Sequence, residues 1–183
     1  TGDGRPLAAA MAVARGLAAR LNRAEAAEAL IRRCLSRIDA AAARLTPAAT
    51  TQPVAVFVFQ DQRHGWVADA NGFIHAVMTR MGITNAWPLS TAPGRPSFWG
   101  YTAIGIDRLA TLPDCRLIHA DFPLGPGGWR PGLSTIWQAL PAAARSASAA
   151  IGPFWYFGAL PTMARFADQL ADALAAIDAG RKG

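Results

Sequence analysis

One hexapeptide limits the fold more than any other stretch. Val54 to Phe59 reads V-A-V-F-V-F and is apolar at every position. A strand with one wet face alternates. An unbroken run rich in β-branched and aromatic residues reads as a strand buried on both faces. Such a strand needs one layer of structure above it and another below. R-L-I-H-A-D, Arg116 to Asp121, reads as a second buried strand with Cys115 just before it, and S-A-A-I, residues 148–151, as a last one.

The covering layers read as helices. Pro6 opens a first helix, with Asp3 or Gly4 near its cap, that runs to Leu21. Asn22 breaks it. A second helix follows over 24–45 with an apolar stripe of Leu30, Ile31, Cys34, Leu35 and Ile38, and Thr46-Pro47 stops it. After a polar loop, N-G-F-I-H-A-V-M-T-R-M-G-I is helical, with Phe73, Ile74, Val77, Met78 and Met81 toward the core and Gly82 at its end. T-A-I-G-I-D-R-L-A is an extended piece and then a helical turn opened by Asp107. A Gly/Pro-rich loop over 122–132 leads to a short helix, S-T-I-W-Q-A-L, ended by Pro141. In a last helix over 162–179, Met163, Phe166, Leu170, Leu174 and Ile177 recur at helical spacing. Two leading helices, then alternating strand and helix, predict an α/β lobe built on a mostly parallel sheet.

Composition excludes several classes. The 183 residues are one domain's worth, or one and a small appendage, and at 52% hydrophobic and 16% charged they can bury a real core. No apolar run is long enough to span a membrane. The net charge is +6, and of the 18 basic residues all but Lys182 are Arg. They are scattered and form no block, which argues against nucleic-acid binding and leaves a diffuse basic face. Cys34 and Cys115 lie far apart with no C-x-x-C, so they read as two buried thiols.

Catalytic motifs are sparse. His64, His75 and His119 fall in a loop, a helix and a strand, with no Asp, Cys or Glu at ligand spacing. Gly125 to Gly128, G-P-G-G, lacks the Lys-Ser/Thr of a phosphate loop, and no G-x-S-x-G is present. The aromatic loops are richer. One carries Trp87, Phe98, Trp99 and Tyr101 among Pro88, Pro93 and Pro96, with Arg95 its one charge; the other carries Phe154, Trp155, Tyr156 and Phe157 between Pro153 and Pro161. Stiff, nearly uncharged aromatic walls on loops after strands suit a bulky, partly apolar ligand that is bound without being transformed. The competing reading for Trp87 and Tyr156 is that their rings cap the sheet.

N-A-W, then F-W-G-Y-T-A-I-G-I-D-R-L-A, W-Q-A-L-P-A-A-A and P-F-W-Y-F-G-A-L, in this order, resemble the C-terminal part of the ferric hydroxamate-siderophore-binding proteins of the FhuD type. These are binding proteins of ABC importers for iron chelates and cobalamin. G-D-G-R-P-L-A-A-A resembles the approach to the helix that joins the two lobes of that family. The resemblance implies the C-terminal lobe of a two-lobed periplasmic binding protein with a rigid helical connection. Residues 1–45 would be the interlobe helix and the helix after it, and 46–183 the C-terminal α/β lobe. The N-terminal lobe, and any export signal, would lie upstream.

The same resemblance implies the function. A ferric hydroxamate siderophore would sit in an aromatic cleft, its iron already saturated by the chelator, with no protein metal ligand, no cofactor and no catalysis. Trp99 and Trp155 match the cleft tryptophans of the two loops. Tyr101 stands where a small polar residue is usual. Phe157 stands at a tyrosine position, so the hydroxyl would move to Tyr156 or Tyr101. Trp87 completes the ligand-binding set. Asp107 is the acid expected to dock on an arginine of the ABC importer permease, and it equally suits a helix N-cap. The implied protein is a periplasmic monomer that inserts in no membrane. The same fold with a haem or cobalamin ligand, and an α/β enzyme with an aromatic pocket, are the alternatives.

Overall fold

The computed structural model describes residues 5–89, 99–121, 135–140, 148–156 and 158–180. The helices are α1 (Arg5–Arg20), α2 (Ala24–Ala43), α3 (Pro47–Thr51), α4 (Phe73–Arg80), α5 (Thr135–Gln138) and α6 (Leu160–Gly180). The strands are β1 (Val54–Phe59), β2 (His64–Ala68), β3 (Tyr101–Gly105), β4 (Arg116–Asp121) and β5 (Ser148–Ala150). Two 3-10 turns, Trp87–Leu89 and Ile106–Thr111, connect them.

The sheet order is β3-β2-β1-β4-β5. β1, β4 and β5 are parallel, while β2 is antiparallel to both β1 and β3. Four strands therefore run one way and β2 alone runs back, so the sheet is mostly parallel, as expected. All six residues of β1 are buried, because β1 is central and covered on both faces. The larger core lies between one sheet face and α1, α2, α4 and α6, and includes Ile38, Val56, Ile74, Ile118, Phe166 and Leu170. The smaller core, on the other face, joins Phe57, Phe59, Val67, Leu117, Ile106, Leu109, Trp87 and Trp137. Leu7 and Ile31, from the first two helices, share the larger core with the rest of the chain.

Two local readings are corrected. The stretch after β1 is not all loop, for β2 forms within it. Its outer residue His64 is exposed and its Gly65 lies under the Phe57 ring, so it lacks an apolar signature of its own. Thr46-Pro47 ends α2 but also begins α3. The Thr46 hydroxyl accepts the Ala49 N–H at 3.2 Å and Pro47 takes the first helical position, where its missing N–H costs nothing. At the end of α4, Gly82 adopts φ +76°, with Gly82 N–H bonded to Thr79 O and Ile83 N–H to Met78 O. That paired closure is the Schellman motif.

Charge ties the helices together at the surface. Arg15 pairs with Glu28, Arg37 with Asp168, Arg44 with Asp172 and Arg80 with Asp39. One pair is buried: the Arg116 guanidinium, 1% exposed at the start of β4, meets Asp178 of α6 at 2.7 Å. Arg116 also donates to Gln52 and to the Ala48 carbonyl, and the Thr46 hydroxyl donates to Asp178 at 2.6 Å. This cluster locks α3, β4 and α6 together. Cys34 and Cys115 are both buried and free, as expected. Among the described residues no helix is long and apolar enough to cross a membrane.

Candidate ligand-binding site

Trp66 faces Ala103 across the β2–β3 ladder, and Ala68 faces Tyr101. Directly opposed residues share a face of a sheet. Here it is the face of the larger core, to which Ala68 and Tyr101 belong. The row continues from Trp66 through Val58 of β1 to Ala120 of β4. Val58 and Ala120 are buried, Trp66 is half-buried and Ala103 is exposed. The core thus runs out toward the β3 edge, and there Trp66, Trp99, Tyr101 and Ala103 line a cavity of about 450 Å³. None of these four side chains carries a charge.

Trp99 stands 70% exposed at the cavity. Its placement follows from the next residue. Gly100 has φ +78°, a left-handed conformation that glycine adopts without penalty. It lies against Gly72, the residue before α4, so closely that a Cβ on Gly100 would fall 2.6 Å from the Gly72 nitrogen. The Asp69 N–H donates to the Gly100 carbonyl at 3.1 Å. The Asp69 carboxylate, buried, accepts from the Asn71 N–H and the Thr102 hydroxyl. The W-G-Y segment is therefore fixed to the N-G-F segment by backbone contact. Asn85 gives N-A-W a similar anchor: its amide donates to the Ala68 carbonyl at 3.0 Å and accepts from the Trp87 N–H at 3.1 Å.

The loop after β5 is pinned to the same place. The Tyr101 hydroxyl donates to the Tyr156 carbonyl at 2.9 Å, and the two rings lie edge to face, 6.2 Å apart. Burial pushes the Tyr101 pKa well above its ordinary value, so the hydroxyl stays a neutral donor. Phe154 packs against Phe73, Phe166 and Tyr156. Phe154 and Tyr156 are buried, while Trp155 between them is 64% exposed. Two buried anchors thus present one outward indole.

The expected ligand residues therefore divide. Trp99 and Tyr101 line the cavity, and Trp155 is exposed on the loop bonded to Tyr101. Trp87 is 2% exposed in the smaller core, on the opposite face of the sheet, and its ring closes that core rather than the cavity. Tyr156 is likewise buried, a support for Tyr101. The Tyr101 hydroxyl is spent on backbone. Phe157, Phe98, Pro93, Pro96 and the 122–132 loop lie outside the described residues. Asp107 is exposed, but it is not an N-cap: Gly105 holds that position and Asp107 follows in the first turn. Trp66 was not singled out from the sequence. A lone tryptophan in a polar stretch gives no sign of its partner until β3 pairs with β2.

Among the described residues no group of three or more His, Cys, Asp or Glu is placed to hold a metal ion. His64 does approach an acid, Asp61, with Nδ1 3.1 Å from its carboxylate; both are exposed at the β1–β2 turn. His119 lies beside Phe59 and Trp137, and burial lowers its pKa to about 4. Burial raises the Cys115 pKa to about 12, so its thiol is unreactive.

The iron(3+)-hydroxamate-binding protein FhuD of Escherichia coli K12 is 28% identical over 123 residues, which are 67% of this chain and 40% of that protein. Vibrio cholerae FhuD, solved with Fe3+-Desferal bound, has a TM-score of 0.81 at 17% identity, covering 97% of this chain and 65% of its own. FeuA of Bacillus subtilis, a triscatecholate siderophore-binding protein solved with ferri-bacillibactin, has a TM-score of 0.64 at 13% identity, covering 85% of this chain and 55% of its own. These structures share the fold, and the chain spans 40% of the length of its E. coli relative. The sequence profile of the periplasmic binding proteins matches residues 12–118, over half of the 183, and the chain belongs to the periplasmic binding protein family.

Proposed function

We propose that the β2–β3 cavity holds the organic shell of a ferric hydroxamate siderophore, and that the whole protein carries this chelate through the periplasm to an ABC importer permease. The observation that carries the reading is the aromatic cavity, uncharged over its described lining, with two exposed tryptophans at its loops. Large exposed indoles held on pinned loops cost hydration unless a ligand covers them. Charge favours a hydroxamate over a catecholate. Three hydroxamates neutralise ferric iron, whereas three catecholates leave a triply negative complex. Desolvating such an anion needs facing cations, and no described lining residue supplies one. The E. coli relative is named for iron(3+)-hydroxamate binding, which supports the same choice.

In this reading the chelator saturates the iron and the protein supplies no metal ligand. α1 is the connection to a preceding lobe: Val13 and Leu17 are exposed along it and Leu21 just after it, and they join Ala10, Ala14 and Leu30 in a second, apolar groove. Residues 1–45 then link the lobes and 46–183 form the C-terminal lobe. Exposed Asp107 is the permease contact.

The test is a titration of intrinsic tryptophan fluorescence with ferrioxamine B, with ferri-bacillibactin as control. Saturable quenching by the hydroxamate alone is expected. Equal quenching by both chelates would reduce the effect to light absorption and refute the hydroxamate preference.

A further inference from the structure

We propose that the Trp66–Ala103 pair sets the width of this cavity and is its specificity-determining element, admitting an uncharged apolar arm of the chelate between Trp66 and Trp99. This rests on the siderophore reading and adds to it which part of the ligand enters and what selects it.

The argument starts from an inequality of size. Trp66 and Ala103 are directly opposed. Opposed Cβ atoms in an antiparallel pair stand about 4.5–5.5 Å apart, so any larger side chain at 103 would lie over the Trp66 indole. Trp66 cannot yield easily, because its base packs against the larger core and its row neighbour is buried Val58. Ala103, by contrast, is exposed. Packing does not require a small residue there, and a strand favours larger, β-branched ones. The small side chain leaves open the space that the cavity occupies.

The lining then defines what fits. Its described residues offer two indoles, a phenol ring and a methyl group. The hydroxyl among these described residues, on Tyr101, already donates to the Tyr156 carbonyl. Hydrocarbon suits this slot and hydroxamate oxygens do not. The seated group is the methylene spacer of a hydroxamate arm, with iron and its oxygens outside.

The test is calorimetric titration of the whole protein with ferrioxamine B, using Ala103→Leu, Ala103→Ser, Trp66→Ala and the Ala103→Leu/Trp66→Ala double variant. Circular dichroism verifies folding, and Ala103, being exposed, accepts Leu without disturbing the core. Ala103→Leu should weaken binding about tenfold or more, and Ala103→Ser should leave it within about twofold. In the double variant the added leucine no longer meets an indole, so the two losses should combine to less than their product. Unchanged affinity in folded Ala103→Leu, or losses that simply multiply, overturns the width assignment while the siderophore reading stands. Absence of ferrioxamine B binding by the unaltered whole protein overturns both.

Discussion

Gly100 and Gly82 together offer a sharp test of how Trp99 is held. Both have left-handed φ, +78° and +76°. A Cβ on Gly82 would meet nothing within 4 Å, whereas one on Gly100 would collide with Gly72 and stand 3.1 Å from the Asn71 carbonyl carbon. Gly82→Ala therefore carries only the left-handed penalty, about 1 kcal/mol. Gly100→Ala carries the same penalty and must also push two backbone segments apart. Overpacking of this kind costs about 1–3 kcal/mol more, for a total of about 2–4 kcal/mol. Urea unfolding of the two variants, with unchanged slopes, measures the difference directly. Because Gly100 follows Trp99, its variant should also lose ferrioxamine B affinity, while Gly82→Ala should keep it. Equal destabilisation by the two variants would refute the close approach as the device that places Trp99.

Four further outcomes are expected. Asp178→Ala should cost about 3–5 kcal/mol in thermal unfolding, because it strands the buried Arg116 charge; Arg116→Met with Asp178→Leu should recover most of that loss. Trp155→Ala and Trp99→Ala should each weaken chelate binding by about 1–3 kcal/mol, yet leave the melting temperature almost unchanged, since both rings are exposed. Asp107→Ala in the whole protein should lower transport into vesicles and spare siderophore affinity; equal loss of both would defeat the docking role. For His119, burial holds the folded pKa at about 4 against an ordinary 6.5. Between those values the unfolded chain binds a proton that the folded chain refuses. Its contribution is therefore present above pH 6.5 and lost as pH falls toward 4, and His119→Gln should flatten the decline in the unfolding midpoint over that window.

The elements legible in the sequence are those with a strong pattern of their own. β1 is apolar throughout because both faces are covered, and α6 keeps Met163, Phe166, Leu170, Leu174 and Ile177 at one helical face, all buried. β2 was not legible. Its exposed His64 and its Gly65 beneath Phe57 make sense only beside β1 and β3. The site follows the same division. Trp99 and Trp155 stood out as aromatics on stiff loops, and both are exposed. Trp87 carries the same local signal but is turned inward through Asn85. Trp66 and Ala103 are brought together only by strand register, a tertiary fact that no local window contains.

The Arg116–Asp178 lock has a consequence for engineering this chain. Arg116 is level with Val54 on β1, and Trp66 is level with Val58. At about 3.3 Å per residue, those levels are about 13 Å apart along the strand, before the sideways separation is added. Effects of substitutions at that distance, with no shared partner, add independently. The ligand end of the sheet can therefore be redesigned for a different chelate while the charged end keeps the scaffold folded, and stabilising changes made at one pole will carry over unaltered to any variant of the other.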